Sequence, residues 1–257
     1  MNLLEFSLVQ FQNYFLIFVR ILSIFYITPI FGSRNFPNMG RIGLSLFIAL
    51  VIFPVLPLNR DLPREVIPYI ILVCREVILG VLFGLVAILI LIALQLAGHL
   101  IDIQMGYALV NILDPISGIQ ASVVGQILYI IGILVFLLVN GHHLIITALY
   151  NSFLLIPVGE FSYSLKSAWA MSKFGSEIFS IAVKIAMPVV AVLFVIEVGM
   201  GFVARTVPQI NVFLVGFPLR IALGLLFMGI CIPVFVLVFK ELTYKLINNI
   251  ILIMKFS

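Results

Sequence analysis

The sequence predicts an all-α, polytopic integral membrane protein, with long helices and helical hairpins around an interrupted central segment. Three observations carry this. Of 257 residues, 64% are hydrophobic and 9% charged, against about 25% charged in ordinary soluble domains, so there is too little polar surface to cover a water-soluble globule. The apolar residues gather in runs at 6–31, 42–58, 66–97, 127–157, 178–203 and 212–239, and about 20 such residues let a helix cross a bilayer. None of the runs shows the short alternating segments of a membrane β-barrel.

The elements follow in order. Run 6–31 carries Glu5 where a secretory signal would be positive, its first basic residue is Arg20, and no small-residue cleavage site follows; it is expected to be a retained span. "GSRNFPNMGR" (32–41) is a break, and run 42–58 is at the short limit for a span. "PLNRDLPRE" (57–65) is a second break, rich in Pro and charge. Run 66–97 holds Gly80 and Gly84, a small-xxx-small pair that suits a close helix contact. Run 127–157 contains "VNGHHLII", with Asn140 and Gly141 ahead of His142 and His143. The mildly polar connection 158–177 suits a short amphipathic surface helix, with Leu165, Ala168, Trp169 and Ser172 on one face. "ARTVPQIN" (204–211) is a tight turn, which makes 178–239 an antiparallel helical hairpin. The tail, 240–257, holds Lys240, Lys245 and Lys255 against Glu241, which argues for a cytoplasmic C-terminus. Counting back through six simple spans puts 32–41, with Arg34 and Arg41, on the opposite side. The positive-inside rule therefore gives no consistent six-span topology.

Charges inside such runs cost about 2.5–3.5 kcal/mol each at a helix centre. Arg20, Arg75, Glu76, Lys184, Glu197 and Arg220 fall in this class, with Arg205 closing the fifth run. They either form buried ion pairs and snorkel, or face a subunit interface or polar conduit; a proton relay is the third option. Arg75 and Glu76 diverge by about 100° and need separate partners. His99 and Asp102, three residues apart, share a helical face. The histidines serve as a polar kink or hydrogen-bonding patch, or less simply as metal ligands. Cys74 and Cys231 sit at no metal-like spacing and read as small buried hydrophobes. No nucleophile elbow, phosphate loop, zinc-protease or dinucleotide motif occurs, and no Lys/Arg cluster suits nucleic acid. The chain is read as a non-enzyme without cofactor or metal.

"QMGYALVNILDPISGIQASVVGQ" (104–126) differs from its surroundings: 11 of its 23 residues are Gly, Pro, Gln, Asn, Asp or Ser. Asp114 as N-cap with Pro115 at the first helical position is a favoured helix start, so one helix is expected to end before Leu113 and another to begin at Pro115. The stretch is too apolar for a solvated loop and too polar for lipid. Non-helical backbone at membrane depth is tolerated where it is buried in protein or lines a cavity. A re-entrant or interior segment is predicted, packed inside an assembly.

Here the chain resembles a known family. "QMG" (104–106), "DPISGIQASVVGQ" (114–126), "NGHHLII" (140–146) and "SF" (152–153) look like the central signature of the FliR family, and "VPQINVFLVGFPLRIALGLL" (207–226) like its C-terminal one, with Pro208, Gln209, Asn211, Phe213, Gly216 and Pro218. The family has a counterpart in virulence injectisomes, and "VGFPL" (215–219) is closer to the flagellar branch. The resemblance implies a core subunit of the flagellar type III protein export gate. This gate sits in the bacterial inner membrane at the centre of the basal body, assembled with FliP-like and FliQ-like subunits beside FlhB-like and FlhA-like proteins, and passes unfolded flagellar subunits. It implies one membrane domain, with 1–177 as a FliP-like portion and 178–239 as a FliQ-like hairpin, and much helical material above the membrane plane. It maps a closed-state plug onto 104–126. There Gly106 and Gly118 would supply backbone freedom, Pro115 would shape the segment, and Ile112, Leu113 and Ile116 would seal it. Asn111, Asp114, Ser117 and Gln120 would bond to neighbouring backbone. Two readings stand against this: a secondary transporter of a small solute with a broken-helix site at 111–120, and a structural membrane scaffold in which the break is a packing kink.

Overall fold

A computed structural model describes residues 3–33, 35–56, 59, 62–63, 65–107, 122–161, 165–207 and 211–255. These residues form an all-α membrane protein. Its helices are α1 (Leu3–Ile27), α2 (Asn38–Ile52, continued by a 3-10 turn Phe53–Val55), α3 (Val66–Met105), α4 (Val123–Leu138), α5 (Gly141–Leu155), α6 (Leu165–Thr206) and α7 (Val212–Lys255). Among the described residues, five helices are long and apolar enough to cross a membrane, or six if the bent pair α4–α5 counts as one span.

Run 127–157 is broken rather than continuous. The backbone bends by 68° between α4 and α5, where Asn140 takes a left-handed φ of 57°. Asn tolerates that conformation better than most side chains. Its carbonyl then accepts from the His143 and Leu144 N–H groups and restarts the helix. Residues 165–172, expected as a separate surface helix, form the first turns of the 42-residue α6. No proline separates them from the apolar run, so nothing stops the helix. The 44-residue α7 follows α6 in sequence; of the expected turn 204–211, residues 204–206 belong to α6 and residues 208–210 lie outside the described residues.

The chain divides into two compact units. The first comprises residues 1–89, 137–174 and 243–257. Leu16, Ile17, Ile21, Ile24 and Phe25 of α1 are fully buried in its core. Gly80 and Gly84 let α3 approach α1: an added Cβ would stand 2.6 Å from the Ser23 Cβ at Gly80 and 2.7 Å from the Ile27 Cβ at Gly84. Arg41 lies on α2, not in the preceding loop, and is 5% exposed. Its guanidinium donates to the Phe31 and Ser33 carbonyls (2.9 and 3.2 Å) and covers the Tyr26 ring. A charge spent on closing a loop is a poor marker of membrane sidedness, which weakens the positive count at 32–41. The second unit comprises residues 90–136 and 175–242. Gly98 and Gly125 meet backbone to backbone there, and a Cβ on Gly98 would overlap Gly125.

Candidate functional site

The site is built from the two ends of the central segment. At the end of α3, Asp102 is 4% exposed. Its carboxylate accepts from the Ser122 hydroxyl (2.5 Å) and from the Val124 N–H (3.2 and 3.3 Å to the two oxygens). The Ser122 Oγ in turn accepts from the Gly125 N–H (2.8 Å). Ser122 thus caps α4, satisfying a donor that the helix leaves unpaired, while Asp102 holds the cap. Gly106, just past α3, has φ +90°. A Cβ there would be strained and would come within 2.5 Å of the Phe217 ring.

Helices α6 and α7 meet the same end of α3. Gln104 Nε2 donates to Glu197 Oε2 (3.0 Å), and Glu197 Oε1 lies 3.4 Å from Arg220 Nη2. The two charged side chains are 46% and 25% exposed, so this pair is a rim contact of modest strength. Met105 is fully buried against Gly224, whose added Cβ would sit 2.9 Å from the Met105 Cγ. Gly216 is buried near Met200 at ordinary contact distance.

A second charge cluster lies in the first unit. Arg20 and Glu76 are both 0% exposed. The guanidinium grips Glu76 through Nε to Oε2 and through Nη2 to Oε1 (2.9 Å). Arg20 also donates to the Ile156 and Ser152 carbonyls (2.9 and 3.3 Å) and stacks on Phe153 at 4.3 Å. Glu76 Oε1 accepts from the Gly159 N–H (2.8 Å). Two charges taken out of water are tolerated when both are paired and their remaining sites are filled, which is the arrangement here. Adjacent Arg75 points elsewhere and is exposed. It lines a cavity of about 350 Å³ together with Asn59, Leu62, Pro68, Ile71 and Leu72.

The structure therefore brings Glu197 and Arg220 together and pairs Glu76 with Arg20. Lys184 and Arg205 are exposed. Of the central positions, Gly106 is described, whereas Asn111, Ile112, Leu113, Asp114, Pro115, Ile116, Ser117, Gly118 and Gln120 lie outside the described residues, as do Pro208 and Gln209. Asn211 is exposed beside α7, Phe213 is helical, and Pro218 is inside α7 and exposed. Sequence reasoning placed Asp102 on one helical face with His99 without finding its hydrogen-bond partners. His99 is exposed, and the Asp102 partners are Ser122 and Val124. The missed signal was a serine directly before an apolar helical run, an ordinary N-cap pattern.

One quantity bears on the environment. α3 carries exposed apolar side chains from Val66 (72%) and Ile67 (74%) to Ile103 (50%). They are discontinuous: exposed Arg75, Gln95 and His99 interrupt them, and Ile92 is the one exposed large apolar side chain between Ile78 and Ile103.

Residues 11–246 match the model of the bacterial export proteins, family 1. The chain is 36% identical to the flagellar biosynthetic protein FliR of Bacillus subtilis, over 94% of this chain and 95% of that protein. Identity to the FliR of Escherichia coli is 30%, over 86% and 84%. It is 28% identical to the Yop proteins translocation protein T of Yersinia pestis, over 85% of each.

Proposed function

Since this chain belongs to the bacterial export proteins of family 1, as a FliR-type membrane component of flagellar type III export, we propose that it is a core subunit of the export gate. In this reading it assembles with FliP-like and FliQ-like subunits into the protein-conducting channel, beside FlhB-like and FlhA-like proteins, in the bacterial inner membrane at the centre of the flagellar basal body. Unfolded flagellar subunits are the cargo. Residues 1–177 form the FliP-like portion and 178–239 the FliQ-like hairpin.

The observation that carries the proposal is the match to bacterial export proteins, family 1, over residues 11–246. The hairpin supports the same view, with Phe194 59%, Val195 68%, Phe202 68%, Leu214 74% and Leu237 67% exposed. Glu197, Arg205, Arg220, Lys184 and Arg75 are then charges at subunit contacts or along the conduit. The segment 104–126 is the closed-state plug: its aliphatic residues exclude ions by dewetting a narrow constriction, and its polar residues bond to neighbouring backbone.

Co-purification tests the assembly. An affinity-tagged chain in mild detergent is expected to bring down FliP-like and FliQ-like subunits in fixed ratio. A chain that stays monodisperse and stable by itself, and moves a small solute in liposomes, would overturn the proposal.

A further inference from the structure

We propose that the junction of α3 with α4 is a fixed joint, with Asp102 as its positioning residue, so that the two helices move as one body during transport and never part. This rests on the export reading above.

Three observations within the second unit support it. First, the Asp102 carboxylate, almost fully buried, is shared by the Ser122 hydroxyl and the Val124 N–H. Hydrogen bonds to an ionised acceptor are about twice as strong as neutral ones. Parting the helices would take both donors from this buried carboxylate at once, which is costly. Second, Gly98 and Gly125 touch through their backbones, and the Cβ site of Gly125 lies 2.9 Å from the Gln95 carbonyl. A contact this close has no slack: sliding by a fraction of a turn drives neighbouring side chains into the facing backbone, because packed interiors move between discrete arrangements rather than continuously. Third, the seam extends to Gly132, where a Cβ would stand 2.8 Å from Leu91 Cδ2. The contact thus runs over residues 91–102 of α3 and 122–132 of α4. A hinge would show the opposite character, with few buried contacts and solvated hydrogen bonds. Asp102 touches no cargo in this account; it acts through Ser122 and the α4 N-terminus.

The test uses the full chain in cells, with Cys74→Ser and Cys231→Ser in the background and Asp102→Cys with Ser122→Cys as the pair. Export of a reporter subunit is measured with reductant and after oxidation, alongside the amount of chain in the membrane. The reduced pair lacks the carboxylate clamp, and export is expected to fall about tenfold, the scale of one lost charge-assisted bond. Oxidation restores the tie covalently, and export should return to within about twofold of the background chain. Export that is blocked by oxidation and recovered by reductant means that the helices must part, and overturns the proposal. A reduced pair as active as the background chain overturns it too. If the pair does not accumulate, Asp102→Asn and Ser122→Ala read the same joint. Each alone should reduce export, and the double should lose less than the two losses combined, because the bond between them is shared; fully additive losses overturn the proposal. Failure of the export reading looks different: removing the whole chain would leave export intact.

Discussion

Replacing Glu76 with Gln keeps the volume of the side chain and deletes its charge. Arg20 then remains at 0% exposure with the Ile156 and Ser152 carbonyls and the Phe153 ring as its company. Breaking a buried ion pair in this way costs about 3–5 kcal/mol, because one charge is left uncompensated. Arg20→Met strands the Glu76 carboxylate with the Gly159 N–H, and the same range applies. In the double variant Arg20→Met with Glu76→Leu, no charge is stranded. The Ser152 carbonyl keeps its bond from the Ile156 N–H. The Ile156 carbonyl and Gly159 N–H lose their side-chain partners, at about 1–3 kcal/mol each. Glu76→Leu alone strands Arg20 as Glu76→Gln does, and at mid-range values, about 8 against about 4 kcal/mol, the double variant is expected to cost about 4 kcal/mol less than Arg20→Met and Glu76→Leu summed. Pulse proteolysis of the purified chain across an SDS titration in mild detergent reads these differences. Additivity to within about 0.5 kcal/mol would refute the reasoning: the two residues would not be acting as one buried unit.

Other outcomes follow from the same geometry. Gly98→Leu forces a side chain into the Gly125 backbone and should lose at least about 1–3 kcal/mol in the same titration. Gly43→Ala has open space around it and should gain about 0.5–1 kcal/mol as an ordinary helix-interior change. Asn140→Gly should be near neutral and Asn140→Val should lose about 1–3 kcal/mol, because φ is +57° there. Glu197→Gln should change the stability of the isolated chain by less than about 1 kcal/mol, since the pair with Arg220 is half-exposed. Its effect should appear in recovery of partner subunits.

Much of this was legible from periodicity and composition. The runs became helices because unbroken apolar stretches leave the backbone no alternative in a bilayer. The break at Asn140 was marked by an Asn-Gly pair inside an apolar run, although its 68° bend was not. What stayed hidden was long-range pairing. Arg20 and Glu76 stand 56 positions apart, and nothing local says which of several membrane charges will meet. Asp102 and Ser122 bridge the central segment in the same way, 20 positions apart. Arg41 looked like a loop charge because its role depends on carbonyls at Phe31 and Ser33 that only the folded turn presents. The N-terminal limit of α6 was missed because Ser, Lys and Trp in 165–173 suggested a surface element, whereas helix propensity carried straight through them.

The measurement closest to the central claim is ion flux through membranes holding the assembled protein with residues 110–118 removed, read together with motility. If 104–126 is the closed-state plug of an export gate, the shortened chain makes the membrane leaky to small ions at rest while the unaltered chain keeps it tight. A membrane that stays tight with the shortened chain in place, at normal abundance and with partner subunits bound, would contradict it.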